Sequence, residues 1–177
     1  NRAGTWRMDV HSDLPTGAEI ISILLDVTLD SKTPALGSHP PYSRNKTISD
    51  GYTLKELTTD SMPDEELYDI TIADALDSGK PLVVTFATPA FCRSSTCGPQ
   101  LDVIKEMKVR YKDRVNFIHV EVFDNPNDME GDIGNGRISP VMIEWDLESE
   151  PFTFVIDSSG NIFSKFVGFA TEDELNI

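Results

Sequence analysis

Two cysteines, Cys92 and Cys97, are the residues of this chain whose type and spacing could carry out chemistry. They are the chain's only cysteines, and four residues separate them. Within the chain they can bond only to each other, and the small ring they would close adds little stability because it barely restricts the unfolded chain. A cysteine thiolate, by contrast, is a nucleophile that exchanges with disulfides. The spacing therefore favours redox chemistry over a purely structural bond.

A helix is predicted to begin at this pair. Pro99 is tolerated only in the first turn of a helix, and residues 101–112 carry apolar side chains at helical spacing. Both cysteines would then lie at the positive end of the helix, where its dipole and free N–H groups lower the pKa of a thiol. The hydroxyl residues that could cap this helix are Ser94, Ser95 and Thr96.

Apolar patterns on both sides of the pair predict an α/β domain over residues 67–177. A short helix capped by Thr71 ends at Gly79, and a helix at the C-terminal end opens with the capping box 171–174. The predicted strands cover residues 81–86, 115–123, 152–157 and 161–167, the last two joined by a glycine turn. This order of elements predicts parallel strands with an antiparallel edge.

Two further segments precede this domain. Residues 1–30 alternate between apolar and polar side chains in two runs, 5–11 and 19–28, with a turn-rich segment between them, and predict a β-hairpin. Residues 31–66 are polar, rich in proline and without periodicity, which predicts an extended connector. An isolated hairpin is marginal in water. It is therefore expected to pack on the main domain, pair with another chain or belong to an upstream β-domain.

Two motifs of the main domain occur in an order typical of one family. Residues 79–92 run from a strand through a proline-containing loop and Phe91 to Cys92, and Glu150-Pro151 opens the segment Phe-Thr-Phe-Val-Ile-Asp-Ser-Ser-Gly. Together they resemble the thioredoxin-fold, TlpA-like thiol–disulfide oxidoreductases. In that family the proline is cis and faces the cysteine pair.

The resemblance implies disulfide exchange with a protein partner. Cys92 would attack a partner disulfide, and Cys97 would resolve the mixed disulfide by internal attack. Phe91, Glu150 and Pro151 would bind the partner. Neither a cofactor nor a metal is implied, and neither the direction of exchange nor the oligomeric state follows from these motifs.

The four-residue spacing departs from the family, whose cysteines are separated by two residues. Cys97-Gly98-Pro99-Gln100 offers a rival register, but it needs a lead-in five residues longer. Thr85 occupies the strand position at which thioredoxin carries a buried acid. The wider spacing and Thr88-Pro89 are similar to atypical peroxiredoxins, so a thiol peroxidase is one alternative. A non-catalytic binding module with a structural disulfide is another, and a copper site using His119 is less favoured.

Composition limits the partners. With 15 basic and 30 acidic residues the formal charge is -15, which disfavours nucleic acid and anionic lipid. No apolar run is long enough to span a bilayer. The chain begins with Asn1 rather than Met, consistent with removal of a targeting segment. An extracytoplasmic location (periplasmic, secreted or tethered outside the membrane) is therefore expected.

Overall fold

The computed structural model describes residues 2–14 and 17–175, and the chain divides into two compact units, Asn1–Lys32 and Thr33–Ile177. The first unit consists of strands β1 (Gly4–Leu14) and β2 (Gly17–Val27). The strands of the second unit are β3 (Leu82–Ala87), β4 (Asn116–Glu121), β5 (Phe152–Ile156) and β6 (Ile162–Val167). Its helices are α1 (Leu54–Leu57), α2 (Ile72–Asp77), α3 (Cys97–Tyr111), α4 (Pro140–Glu144) and α5 (Glu172–Leu175), with short 3-10 turns at Glu65–Tyr68, Pro126–Asp128 and Ile133–Asn135.

The predicted N-terminal hairpin is confirmed, with strands longer than the sequence indicated. β1 and β2 pair antiparallel, and polar Ser12 and Asp13, predicted to lie in the turn, belong to the ladder. Polar composition marks where a turn can form but does not fix where strand pairing stops. Pro15 and Thr16 lie outside the described residues. One face of the hairpin is apolar and exposed, with the cross-strand pairs Trp6–Leu25, Met8–Ile23 and Val10–Ile21.

The second unit is built on a mixed sheet in the order β4-β3-β5-β6, which confirms the predicted α/β class. β3 is parallel to β4 and antiparallel to β5, and β6 pairs antiparallel with β5 at the edge. All six residues of β3 are buried, as its continuous apolar run predicted. Alternate residues of β3 enter separate core clusters: Phe86 packs with α2 and α4, and Val83 packs with α3. Helices therefore cover both faces of the central strand.

Nearly all of the connector belongs to the second unit, and both apolar and polar side chains hold it there. Leu57 is buried in the cluster that includes residues of α3, with Ile48 and Leu54 packed against it. Asn45 Oδ1 accepts a hydrogen bond of 2.7 Å from the backbone N–H of Ile72, at the start of α2. Trp145 is fully buried, and its Nε1 donates to Ser43 Oγ at 3.0 Å. Polar contacts of this kind leave no hydrophobic period in the sequence. The segment was therefore predicted to be extended, and the short helix α1 within it was not predicted. Among the described residues, no helix has both the length and the apolar character that crossing a bilayer requires.

The strand directions bring two distant segments to one edge of the sheet. β3 ends at Ala87 and continues into residues 88–96, which we call the cysteine loop. β5 runs antiparallel to β3, and its first residue, Phe152, pairs with Phe86. Pro151, directly before β5, therefore lies beside the end of β3. The cysteine loop and Pro151 thus emerge at the same edge.

Candidate active site

Cys92 and Cys97 form a disulfide whose Cα atoms lie 6.0 Å apart. Cys92 belongs to the cysteine loop and is partly exposed, whereas Cys97 is the first residue of α3 and is fully buried. The predicted start of the helix is confirmed, with Pro99 in its first turn. Cys92 is therefore the more exposed of the two cysteines, and Cys97 is enclosed.

The sequence offered Ser94, Ser95 and Thr96 as caps for α3, but no hydroxyl caps the helix. Thr96 occupies the N-cap position, but its side chain makes no capping hydrogen bond. The N–H of Cys97 instead donates to Cys92 Sγ at 3.3 Å. Ser94 Oγ lies 2.7 Å from Thr96 Oγ1 and 3.3 Å from Cys92 Sγ, so these hydroxyls bond to each other and to sulfur. The backbone N–H of Cys97 and the hydroxyl of Ser94 are thus the polar groups within hydrogen-bond distance of Cys92 Sγ among the described residues, and groups of this kind favour a thiolate over a thiol.

Apolar contacts surround the other side of the disulfide. Cys97 packs with Ala87 and Leu101 in a small buried cluster, and Cys92 lies against that cluster. Burial among apolar groups disfavours a thiolate. The two cysteines therefore differ in their surroundings: Cys92 is partly exposed and Cys97 is enclosed by apolar side chains.

The other residues predicted for the site lie around the loop. The Glu150–Pro151 bond is cis, and the carbonyl of Pro151 accepts a hydrogen bond of 2.8 Å from the N–H of Gly168. Phe91, directly before Cys92, packs edge-on against Phe123 with ring centroids 6.0 Å apart. This contact joins the cysteine loop to the segment that follows β4.

Gln100 closes the site from within α3. It lies three residues after Cys97 and is fully buried, and its Oε1 accepts a hydrogen bond of 2.6 Å from the N–H of Ala170. Its Nε2 has no hydrogen-bond partner within residues 2–14 and 17–175. The side chain therefore joins the first turn of α3 to the segment that follows β6.

A buried carboxyl group, Glu121, lies beside the loop at the end of β4, opposite Ala87. One of its oxygens accepts hydrogen bonds of 2.8 Å from both the N–H and the hydroxyl of Thr59. Burial raises the pKa of Glu121 to about 7, although hydrogen bonds from Thr59 and Thr88 favour the ionised form. A carboxyl group that titrates near neutral pH thus lies beside the cysteine loop.

His119, two residues earlier on β4, is buried and neutral. Its Nε2 lies 3.1 Å from the carbonyl oxygen of Ala87, which can only accept, so Nε2 carries the proton. Nδ1 then accepts from the hydroxyl of Tyr68 at 2.7 Å. Burial lowers the pKa of His119 to about 4, against the smaller effect of the Ala87 hydrogen bond. Both ring nitrogens are engaged, and in the part of the chain that the structure describes no group of three His, Cys, Asp or Glu residues could hold a metal ion.

Comparisons with known proteins identify the fold. No family model and no curated protein sequence matches the chain. Among solved structures, a protein titled putative Thiol:disulfide interchange protein DsbE from Chlorobium tepidum aligns with TM-score 0.55 and 14% identity, over 80% of this chain and 92% of that one. StoA from Bacillus subtilis aligns with TM-score 0.42 and 19% identity, over 55% of this chain and 80% of that one. The chain has a thioredoxin-like fold.

Within the thioredoxin-like domain, Thr85 provides a hydroxyl where thioredoxin has an acid. Thr85 pairs with His119 across the sheet, and its Oγ1 lies 3.1 Å from Thr153 Oγ1. The buried carboxyl group in this part of the sheet is Glu121, two residues after His119 on β4. No motif in the sequence indicated it. A signal for it was present, however, because Glu121 lies between Val120 and Val122 near the end of a predicted strand.

Proposed function

We propose that this chain is a thiol–disulfide oxidoreductase that acts on protein disulfides. Cys92 is the nucleophile and Cys97 is the resolving cysteine. The observation that carries the proposal is the disulfide at the start of α3, with Cys92 partly exposed and Cys97 fully buried. The Chlorobium tepidum protein with the same fold is titled as a thiol:disulfide interchange protein, which supports the proposal.

The proposed exchange proceeds in two steps from the reduced form. The Cys92 thiolate attacks one sulfur of a partner disulfide, forms a mixed disulfide and releases the other partner sulfur as a thiolate. The Cys97 thiolate then attacks Cys92 Sγ, forms the Cys92–Cys97 disulfide and releases the second partner thiolate. The partner gains two electrons and the chain loses two. The reverse sequence oxidises a partner dithiol.

The partner is proposed to dock around Phe91, Glu150 and Pro151. Phe91 and Glu150 are partly exposed, and the three residues lie at the edge of the sheet from which the cysteine loop emerges. Pro151 itself is buried, so side chains of a docked polypeptide would contact Phe91 and Glu150 beside it. The partner is therefore a protein cysteine pair.

The proposal includes the domain boundaries and the location. Residues 1–30 form a hairpin appendage or the tail of an upstream β-domain, residues 31–66 a connector and residues 67–177 the thioredoxin-like domain. Disulfide exchange with protein partners is common in oxidising compartments, so an extracytoplasmic location is part of the proposal. Fractionation of the native host cells with an antibody against the chain tests the location.

Trapping of the mixed disulfide tests the function. Cys97→Ser should accumulate a mixed disulfide with an oxidised protein substrate, because Cys92 can attack but nothing resolves the product. Cys92→Ser should accumulate far less, because the remaining thiol is buried. Non-reducing electrophoresis followed by mass spectrometry of the linked peptides measures both.

Turnover separates the proposal from its alternatives. The unmodified chain should accelerate the reduction of insulin by dithiothreitol, and both serine variants should lose this activity. Unchanged turnover in both variants would contradict the proposal. A disulfide that only affects stability would favour the non-catalytic binding module. Peroxide consumption well above that of a free thiol, without insulin reduction, would indicate the peroxidase.

A further inference from the structure

Thr59 of the connector links the buried carboxyl of Glu121 to the cysteine loop. Its hydroxyl donates to Glu121 at 2.8 Å and accepts a hydrogen bond of 3.2 Å from the N–H of Ala90, two residues before Cys92. The same hydroxyl lies 3.5 Å from that of Thr88, the first residue of the loop. A chain of hydrogen bonds therefore runs from Glu121 through Thr59 to the backbone that carries Cys92.

The connector is also tied to α3, the helix that carries Cys97. Asp60, next to Thr59, accepts a hydrogen bond of 2.6 Å from Lys105 of α3. Thr59 thus sits between two fixed points, Glu121 on β4 and Lys105 on α3. The connector next to Thr59 is therefore attached to α3, while Thr59 itself contacts both Glu121 and the cysteine loop.

Glu121 can change its charge in this position. Burial raises its pKa to about 7, so the carboxyl is mainly protonated in weak acid and ionised in weak base. Other titratable groups surround the same region. They are His119 on β4, Asp124 after it, Tyr68 in the 3-10 turn, Arg44, Lys46, Glu56 and Asp60 in the connector, Lys105 on α3 and Glu144 on α4.

A cavity of about 180 Å³ borders Glu121. His119 also lines it, together with charged residues of the connector and with apolar residues such as Phe123 and Val141. Its volume is enough for water molecules. Glu121 thus borders a space that can hold water, while one oxygen of its carboxyl stays bonded to Thr59.

We propose that Glu121 is a positioning residue for the disulfide: through Thr59, its ionised carboxylate holds the cysteine loop in place and slows attack on the Cys92–Cys97 bond. Two effects act in the same direction. Hydrogen bonds to a carboxylate are stronger than those to a carboxylic acid, so ionisation fixes Thr59 and the Ala90 N–H more firmly. The buried negative charge also opposes an approaching thiolate. This inference extends the proposed function, since the loop that it controls is the proposed catalytic loop.

Reduction of the disulfide by dithiothreitol in the intact chain tests this role without any protein partner. The measured quantity is the rate constant for Glu121→Gln divided by that of the unmodified chain, followed from pH 5.5 to 8.5. Division cancels the ionisation of dithiothreitol itself. We expect a ratio near one at pH 5.5, where Glu121 is protonated, that rises to about fivefold at pH 8.5. A ratio independent of pH would overturn the proposal.

Variants of Thr59 test the route. Thr59→Val keeps the β-branched shape but lacks the hydroxyl, so adding Glu121→Gln to it should no longer produce most of the pH-dependent change. Thr59→Ser keeps the hydroxyl and should preserve the full change. If the ratio rises as strongly in the Thr59→Val background, the link does not pass through Thr59 and the proposal fails. Near-ultraviolet circular dichroism checks that each variant is folded.

A second carboxylate serves as the matched control. Glu144 lines the same cavity but binds the hydroxyl of Ser43 instead of Thr59. Glu144→Gln should leave the ratio near one at every pH, and a rise equal to that of Glu121→Gln would overturn the proposed route. The two proposals can fail separately, because the dithiothreitol test measures no turnover. If the chain showed the pH effect but did not reduce insulin, only the proposed function would be contradicted.

Discussion

The two sulfur atoms of the disulfide are bonded to each other but lie in different surroundings. Cys92 Sγ accepts the N–H of Cys97 and lies near the hydroxyl of Ser94. Cys97 is enclosed by Ala87 and Leu101. These differences give each cysteine its proposed role, because thiolate stability and access both favour attack by Cys92.

His119 leads to a prediction on stability at the residue scale. Its pKa is about 4 in the folded chain against 6.5 unfolded, so the unfolded state binds more protons between these values. The contribution of His119 is present above pH 6.5 and is lost as the pH falls through 4. His119→Gln should abolish this loss, which amounts to at most about 3 kcal/mol in the free energy of unfolding. Urea unfolding at pH 7, 5.5 and 4.5 measures it.

The pH range must be interpreted with Glu121, which acts in the opposite direction. Its folded pKa is raised from 4.5 to about 7, so its contribution is complete below pH 4.5 and is lost as the pH rises through 7. Comparing His119→Gln with the unmodified chain isolates the histidine. His39→Gln, which replaces an exposed histidine, is the matched control. An identical pH slope in His119→Gln and the unmodified chain would contradict the prediction.

At the scale of elements, the position of α3 depends on the connector as well as on the sheet. Leu101, Ile104 and Met107 are buried on the face of α3 that packs inward. Lys108 lies beside this face, and its Nζ is 2.7 Å from a carboxylate oxygen of Asp64 and also pairs with Glu66. The connector therefore fastens the helix that carries Cys97.

Lys108→Met tests that attachment. The lysine side chain is 8% exposed, while its partners Asp64 and Glu66 are 26% and 53% exposed and can be hydrated when it is removed. We expect a loss of about 1–2 kcal/mol in the free energy of unfolding by urea. Lys112→Met is the matched control, because Lys112 is 57% exposed and lies 3.9 Å from Glu66. It should change the free energy by less than about 0.5 kcal/mol. Equal effects would contradict a structural role for Lys108.

At the scale of the whole molecule, the chain consists of two units, each with its own internal contacts. The three clusters of buried apolar residues in the second unit contain no residue before Ile48. The hairpin is a two-stranded sheet with exposed apolar side chains, an arrangement that is marginal by itself. The core that supports the cysteine loop is therefore complete within residues 33–177.

Removal of residues 1–32 tests this division. The shortened chain should unfold cooperatively, with a midpoint within about 4 °C of the full chain. Its disulfide should also be reduced by dithiothreitol at the same rate, because the described contacts of Cys92 and Cys97 are made with residues of the second unit. Thermal unfolding followed by circular dichroism measures the midpoint. A broad transition without a midpoint would show that the second unit depends on the hairpin.

Local patterns in the sequence predicted the strands β1 to β6 and the helices α2, α3 and α5, but neither α1 nor α4. The apolar run of β3, the spacing of Leu101, Ile104 and Met107, and Pro99 in the first helical turn each depend on nearby residues. Such local signals predict where strands and helices lie. They also put Cys97 at the start of α3, which the structure confirms.

Hydrogen bonds between polar side chains that are far apart in the sequence followed from the fold and not from any local pattern. The hydroxyl of Thr59 reaches Glu121 across 62 positions of sequence, and Tyr68 reaches His119 across 51. Neither contact follows a helical or strand period, because hydrogen bonds between separate segments depend on how those segments pack. The start of α3 is another such case: the N–H of Cys97 donates to Cys92 Sγ and not to a capping hydroxyl, which no sequence pattern indicated. The cysteine pair was visible in the sequence, but the groups that control it became visible only in the fold.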